Sequence, residues 1–130
     1  MDVETIRNYC MSLPHVTEQI QWGEHLVFKV GGKCFAIANL GPVGNVISFK
    51  CSPEAFAELT EHDGIIPAPY LARAHWVALE TFEALRAREL QEKLIAAHQH
   101  VFDKLPKKRR QQLENRGAKP QKTRKRKQSV

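Results

Sequence analysis

This chain has little that would point to catalysis, metal binding or a membrane. No stretch approaches the ~18 consecutive apolar residues that a transmembrane helix requires. The N-terminal MDVETIRNYC is charged, with no basic patch followed by an apolar run, so a secretory leader is not expected and the expected location is the cytoplasm. Cysteine is scarce: Cys10, Cys34 and Cys51 are odd in number, share no CxxC spacing and sit in apolar segments. A structural zinc site wants four ligands with short paired spacings, so the three read as reduced core thiols. Glu24-His25, His62-Asp63 and His98-x-His100 look metal-like at first sight. Helical positions two apart diverge, however, and chelation needs spacings of three or four. No metal or other cofactor is expected, and no internal repeat is visible.

Acidic residues are missing from one end. Between Lys107 and Val130 there are eleven Lys or Arg and one acid, Glu114, for a net charge of +10, whereas residues 1–106 carry −4. The overall +6 therefore belongs to the C-terminal segment, and any electrostatic argument for nucleic acid starts there.

What is present suits one globular domain: 130 residues, 42% of them hydrophobic and 8% aromatic. Val3, Ile6, Cys10 and Leu13 form the apolar stripe of a helix that Pro14 stops, and a loop then leads to Trp22-Gly23. From His25 the period becomes two. HLVFKV and KCFAIANL flank Gly31-Gly32, a two-residue hairpin turn. A register centred on that turn sets Phe28 opposite Phe35 and Leu26 opposite Ile37, four residues on one core face. Val27, Lys29, Cys34 and Ala36 then occupy the other face. GPVGN makes a second turn, and VISFKC is a strand with Ile47, Phe49 and Cys51 facing inward. Ser52-Pro53-Glu54 opens a short helix, IIPAPY is irregular, and AHWVALE is a further strand. Thr81 caps a long helix whose buried stripe is Leu90, Leu94, Ala97, Val101 and Leu105. Pro106 interrupts it, and KKRRQQLEN adds an exposed turn or two. The composition past Gly117 lacks the apolar residues needed for order. The expected fold class is α+β, an antiparallel meander flanked by N-terminal and long C-terminal helices, over residues 1–113. A basic disordered tail over 114–130 follows it.

Four segments in this order resemble the YjbR/MmcQ family: WGEHLVFKVGGKCFAI (22–37), ISFKCSPE (47–54), PAPYLARAHW (67–76) and KLPKKRR (104–110). The resemblance implies a CyaY-like fold and DNA binding through a double-wing arrangement of hairpins. Where the family commonly has Asn followed by two basic residues before His-Trp, this chain has Ala72, Arg73 and Ala74, which removes a donor and a charge.

The candidate nucleic-acid-binding residues are Lys29, Lys33, Lys50, Arg73, His75, Trp76 and the run Lys107, Lys108, Arg109, Arg110. Lys29 and Lys50 fall on the non-core faces of their strands. Positive charge beside flat rings is how proteins hold phosphodiesters and unstacked bases. In the plainer reading, the lysines solvate an exposed sheet face and Trp76 plugs a core edge. Trp22, at a strand mouth, reads as core. His75 is the strongest single candidate for a site, yet no nucleophile–base pair accompanies it, so no enzyme is expected. The expected function is a non-enzymatic, monomeric DNA-binding protein with largely non-specific affinity. The alternative is a module that binds a small anion or a partner protein through Lys29, Lys50, Arg73, His75 and Trp76.

Overall fold

The computed structural model describes residues 1–117 of the chain; the remainder of the expected tail, 118–130, lies outside the described residues. Helix α1 (Val3–Met11) starts at Asp2, whose carboxylate accepts from the Thr5 backbone N–H at 2.9 Å. Six strands follow, interrupted by helix α2 (Pro53–Leu59): β1 (Val16–Gln21), β2 (His25–Val30), β3 (Lys33–Asn39), β4 (Ile47–Lys50), β5 (Ile65–Pro67) and β6 (Trp76–Leu79). Helices α3 (Ala87–Asp103) and α4 (Lys107–Gly117) close the described chain. The strands form one antiparallel sheet in the order β1-β2-β3-β4-β6-β5. This is the expected α+β class, with α1 and α3 on one sheet face.

That inner face holds the main core. Ile6 and Cys10 from α1 meet Phe28, Val30, Phe35, Ala36, Ile47, Phe49, Leu79, Leu90 and Leu94. The outer face carries a smaller cluster in which Trp76, Ala68 and Ala78 are covered by Cys34, Ile37, Ile66 and Leu71.

The structure corrects several local expectations. Residues 16–21 are an edge strand, not a loop; their inward position Glu18 is filled by an ion pair with Arg7 of α1, at 2.8 and 2.5 Å. A polar side chain at a core-facing position hides the period-two signal. The β2–β3 register is tight at the turn, Val30 opposite Lys33 and Lys29 opposite Cys34, then slips by one at a bulge. Phe28 therefore lies opposite Ala36, although Phe28 and Phe35 are both fully buried, with ring centroids 6.5 Å apart. Beyond the slip Ala36 is in the main core, and Ile37, opposite Val27, packs on the outer face. Thr81 precedes a separate turn at 82–84, and α3 starts after Arg86, whose backbone N–H donates to Glu89 Oε1 at 3.2 Å. IIP is a short edge strand on β6, the place where a strand proline is tolerated. Finally, α4 is no exposed appendage, because Leu105 just before it and Leu113 within it are buried in the main core.

Candidate functional site

The expected basic and aromatic residues divide into two groups. Lys29 lies on the outer face of β2 one residue before its end at the hairpin turn, where its Nζ donates to Gln19 Oε1 at 3.4 Å, and Lys33 follows that turn, exposed. Lys50, two strands away on β4, makes different contacts. Its Nζ donates to the Ala74 carbonyl, and burial, then the positive charge of Lys104, pulls its pKa down. His100 on α3 is also pushed down, by burial first and then by Lys104 and Lys50, with Asp103 opposing. His75 sits beside this cluster on a left-handed backbone (φ 61°), its ring edge-on to Phe56 at 5.5 Å. Arg73 is exposed in the preceding turn. Trp76 is only 6% exposed, so its ring is not a stacking surface; it is the plug of the outer core.

The basic run is positioned by glycine chemistry. Gly31 takes φ +61°, and a Cβ there would lie 2.5 Å from Leu105 Cδ1 and 3.3 Å from Leu113 Cδ1. Only a glycine lets α4 approach the β2–β3 turn so closely. Lys107 and Lys108 are exposed, and Arg109 and Arg110 half-exposed, at the sheet end that carries Lys33. Arg110 Nε donates to the Leu105 carbonyl at 3.2 Å, which orders the junction.

At the other end of the outer face is a groove of about 560 Å³, lined chiefly by Trp22, His25, Ile37, Asn39, Ser48 and Tyr70. Trp22 is 71% exposed and Tyr70 fully so. Both stand on left-handed backbone, φ 52° and 67°, which costs a non-glycine residue about 1–2 kcal/mol. His25 meets the Trp22 ring edge-on at 5.8 Å, and its Nδ1 is buried with no hydrogen-bond partner among the described residues. Asn39 braces the adjoining loop, donating to the Val43 carbonyl at 2.6 Å and accepting from Gly41 N–H at 2.9 Å. Glu24, also on the groove, packs so closely on Gly41 that a side chain there would collide with its carboxylate. Trp22 was expected in the core; the sign that would have corrected this is the strand at 16–21, which puts Trp22-Gly23 in a hairpin turn.

The cysteine thiols are held protonated by burial. Burial pushes the Cys10 thiol up to about 12 and Cys34 to about 11, so neither is a thiolate at neutral pH. Among the described residues, no group of three or more His, Cys, Asp or Glu is placed to hold a metal ion, and no helix is long and apolar enough to cross a membrane.

The YjbR family profile matches residues 11–100, from the end of α1 to the later turns of α3. The chain belongs to the YjbR family. Its fold is shared with a crystal structure of a Deinococcus radiodurans protein carrying domain DUF419, at 30% identity and a TM-score of 0.77, covering 87% of this chain and 88% of that one. A Pseudomonas syringae protein, 20% identical, shares the fold with a TM-score of 0.61, over 77% of this chain and 98% of its own. Among curated proteins, none matches this YjbR chain. The matched region includes the groove lining and Lys50, His75 and His100, whereas α4 follows it.

Proposed function

We propose that this YjbR domain is a non-enzymatic, monomeric DNA-binding protein of the cytoplasm, whose phosphate contacts come from a composite basic end. The observation that carries this reading is the seating of α4 on the β2–β3 turn through Gly31, Leu105 and Leu113. It fixes Lys107, Lys108, Arg109 and Arg110 to the folded domain beside Lys33. Pre-positioned cations lose less freedom on binding than cations on an unfolded chain. The basic residues of 118–130 add non-specific affinity by counterion release. Cys10, Cys34 and Cys51 are free thiols, which suits a reducing compartment.

The direct experiment is duplex-DNA binding at low salt by the chain ending at Gly117, which keeps Leu105 and Leu113. Salt-sensitive binding should persist, weaker than in the full chain. A chain ending at 117 that folds but binds no DNA would leave all affinity to the segment beyond and contradict the reading.

A second reading, a small-anion site, is favoured by the cluster of Lys50, Lys104, His100 and His75. An anion there would offset the two lysines that lower the His100 pKa. Inorganic phosphate should then raise that pKa in an NMR titration, and an unmoved His100 would dismiss it.

A further inference from the structure

We infer that the groove between Trp22 and Tyr70 receives an unpaired base of single-stranded DNA, and that Glu24 favours bases bearing an exocyclic amino group. The inference rests on the DNA-binding reading and extends it from phosphates to bases.

Three features of the groove lead there. Its rim is two aromatic rings left in solvent, one 71% and one fully exposed, on backbone that neither residue adopts without strain. Strain of this kind persists where the surrounding structure enforces it, and it concentrates at binding sites. The walls, Ile37 and the flat rings, are apolar, while His25 Nδ1 is buried and unpartnered. Among the described residues lining the groove, the one acidic side chain is Glu24, and no Lys or Arg joins it. That charge repels a phosphate but accepts hydrogen bonds from an amino group, as carboxylates do from cytosine N4. The groove therefore suits a base and not the backbone that bears it.

The backbone has its own path. His25, Val27 and Lys29 alternate onto the outer face of β2, so at ~3.3 Å per residue Lys29 stands about 13 Å from His25 toward the basic end. A strand entering at α4 and Lys33 would pass Lys29 and deliver a base to Trp22. A duplex keeps its bases stacked, so only a single strand or a locally opened one fits this route.

The test uses the full-length protein and equal-length oligo(dC), oligo(dT) and abasic deoxyribose-phosphate strands. The chain has two tryptophans, and Trp76 is buried, so base stacking should quench the Trp22 emission. Oligo(dC) should bind more tightly than oligo(dT), and both more tightly than the abasic strand. Trp22→Ala and Tyr70→Ala should each weaken oligo(dC) binding by about tenfold, the scale of one stacked base, and leave abasic binding unchanged. Glu24→Ala should erase the preference for oligo(dC) over oligo(dT). Residual Trp76 emission confirms that Trp22→Ala is folded. If oligo(dC) and the abasic strand bind alike, or the two aromatic variants bind oligo(dC) like the parent, the base site is wrong while the phosphate reading stands. If the parent binds none of the three strands at low salt, both fall.

Discussion

Phe28 is fully enclosed where α1, α3 and the sheet meet, touching the ring of Phe35 and lying within the main core. Truncating such a side chain removes its transfer free energy and leaves a cavity that the bulged strand cannot close. Phe28→Ala should therefore cost about 3–5 kcal/mol in denaturant unfolding; a cost below about 1 kcal/mol would mean the site collapses or the ring is not core. His98 shows the electrostatic side of burial. Its Nε2 lies 2.8 Å from the Pro14 carbonyl, which can only accept, so that nitrogen carries the proton. Burial, with a smaller push from His15, holds its pKa below the ordinary 6.5 despite that bond. The unfolded chain then binds more protons than the folded one as pH falls below 6.5. The stability contributed by neutral His98 is complete above about 6.5 and is lost as pH falls toward the lower folded value. Thermal melts across that window should show a falling Tm, and His98→Gln should flatten the decline. Asp2 and Glu18, whose pKa values are lowered by hydrogen bonds to Thr5 and Arg7, act only in the more acidic carboxylate range.

At the scale of elements, legibility in the sequence followed how much of the apolar pattern each element kept. α1 and α3 carry unbroken stripes at steps of three and four, and β4 alternates cleanly; these were readable. β1 was not, because Glu18, paired with Arg7, stands between Val16 and Ile20 and breaks the apolar alternation. The missed strand had a consequence, since it concealed the hairpin turn that lifts Trp22 into solvent. The bulge at the β2–β3 pair is equally silent: Phe35 and Ala36 are both apolar, and nothing in the sequence says which one the ladder skips. For the same reason Ile37 was assigned to the wrong face. Helix α4 was read by its charge, and a single Leu113 was too little to signal its docking. Gly31→Ala tests that docking. A left-handed φ strains any other residue, and the added methyl would press on Leu105, so a loss of about 1 kcal/mol or more is expected. Gly32→Ala should feel only the φ penalty, because nothing lies within 4 Å of the Cβ position. Equal costs for the two would show that α4 does not rest on the turn.

For the molecule as a whole, charge and shape divide the labour. The part up to Pro106 is net negative, the part after it strongly positive, and α4 is where the second is bolted onto the first. The three candidate lysines share the sheet end at the hairpin turn but not their contacts: Lys29 meets Gln19 on β1, while Lys50, two strands away on β4, donates to the Ala74 carbonyl near Lys104 and His100. Which neighbours each lysine meets depends on strand order and on helix α3, which strand periodicity does not report. The proposed phosphate contacts are those of the docked quartet, Lys107 to Arg110. Their most direct test is the slope of log K against log salt for duplex DNA, measured on the full chain and on a variant with Lys107, Lys108, Arg109 and Arg110 all changed to Gln. Each phosphate that is no longer neutralised takes roughly 0.9 from the magnitude of the slope. The variant, which loses the Arg110–Leu105 hydrogen bond, should stay folded with at most a small drop in Tm and show a slope shallower by about two to four such increments, with the remainder owed to Lys33 and the segment beyond Gly117. A folded variant whose slope and affinity match those of the parent would mean that the quartet touches no phosphate.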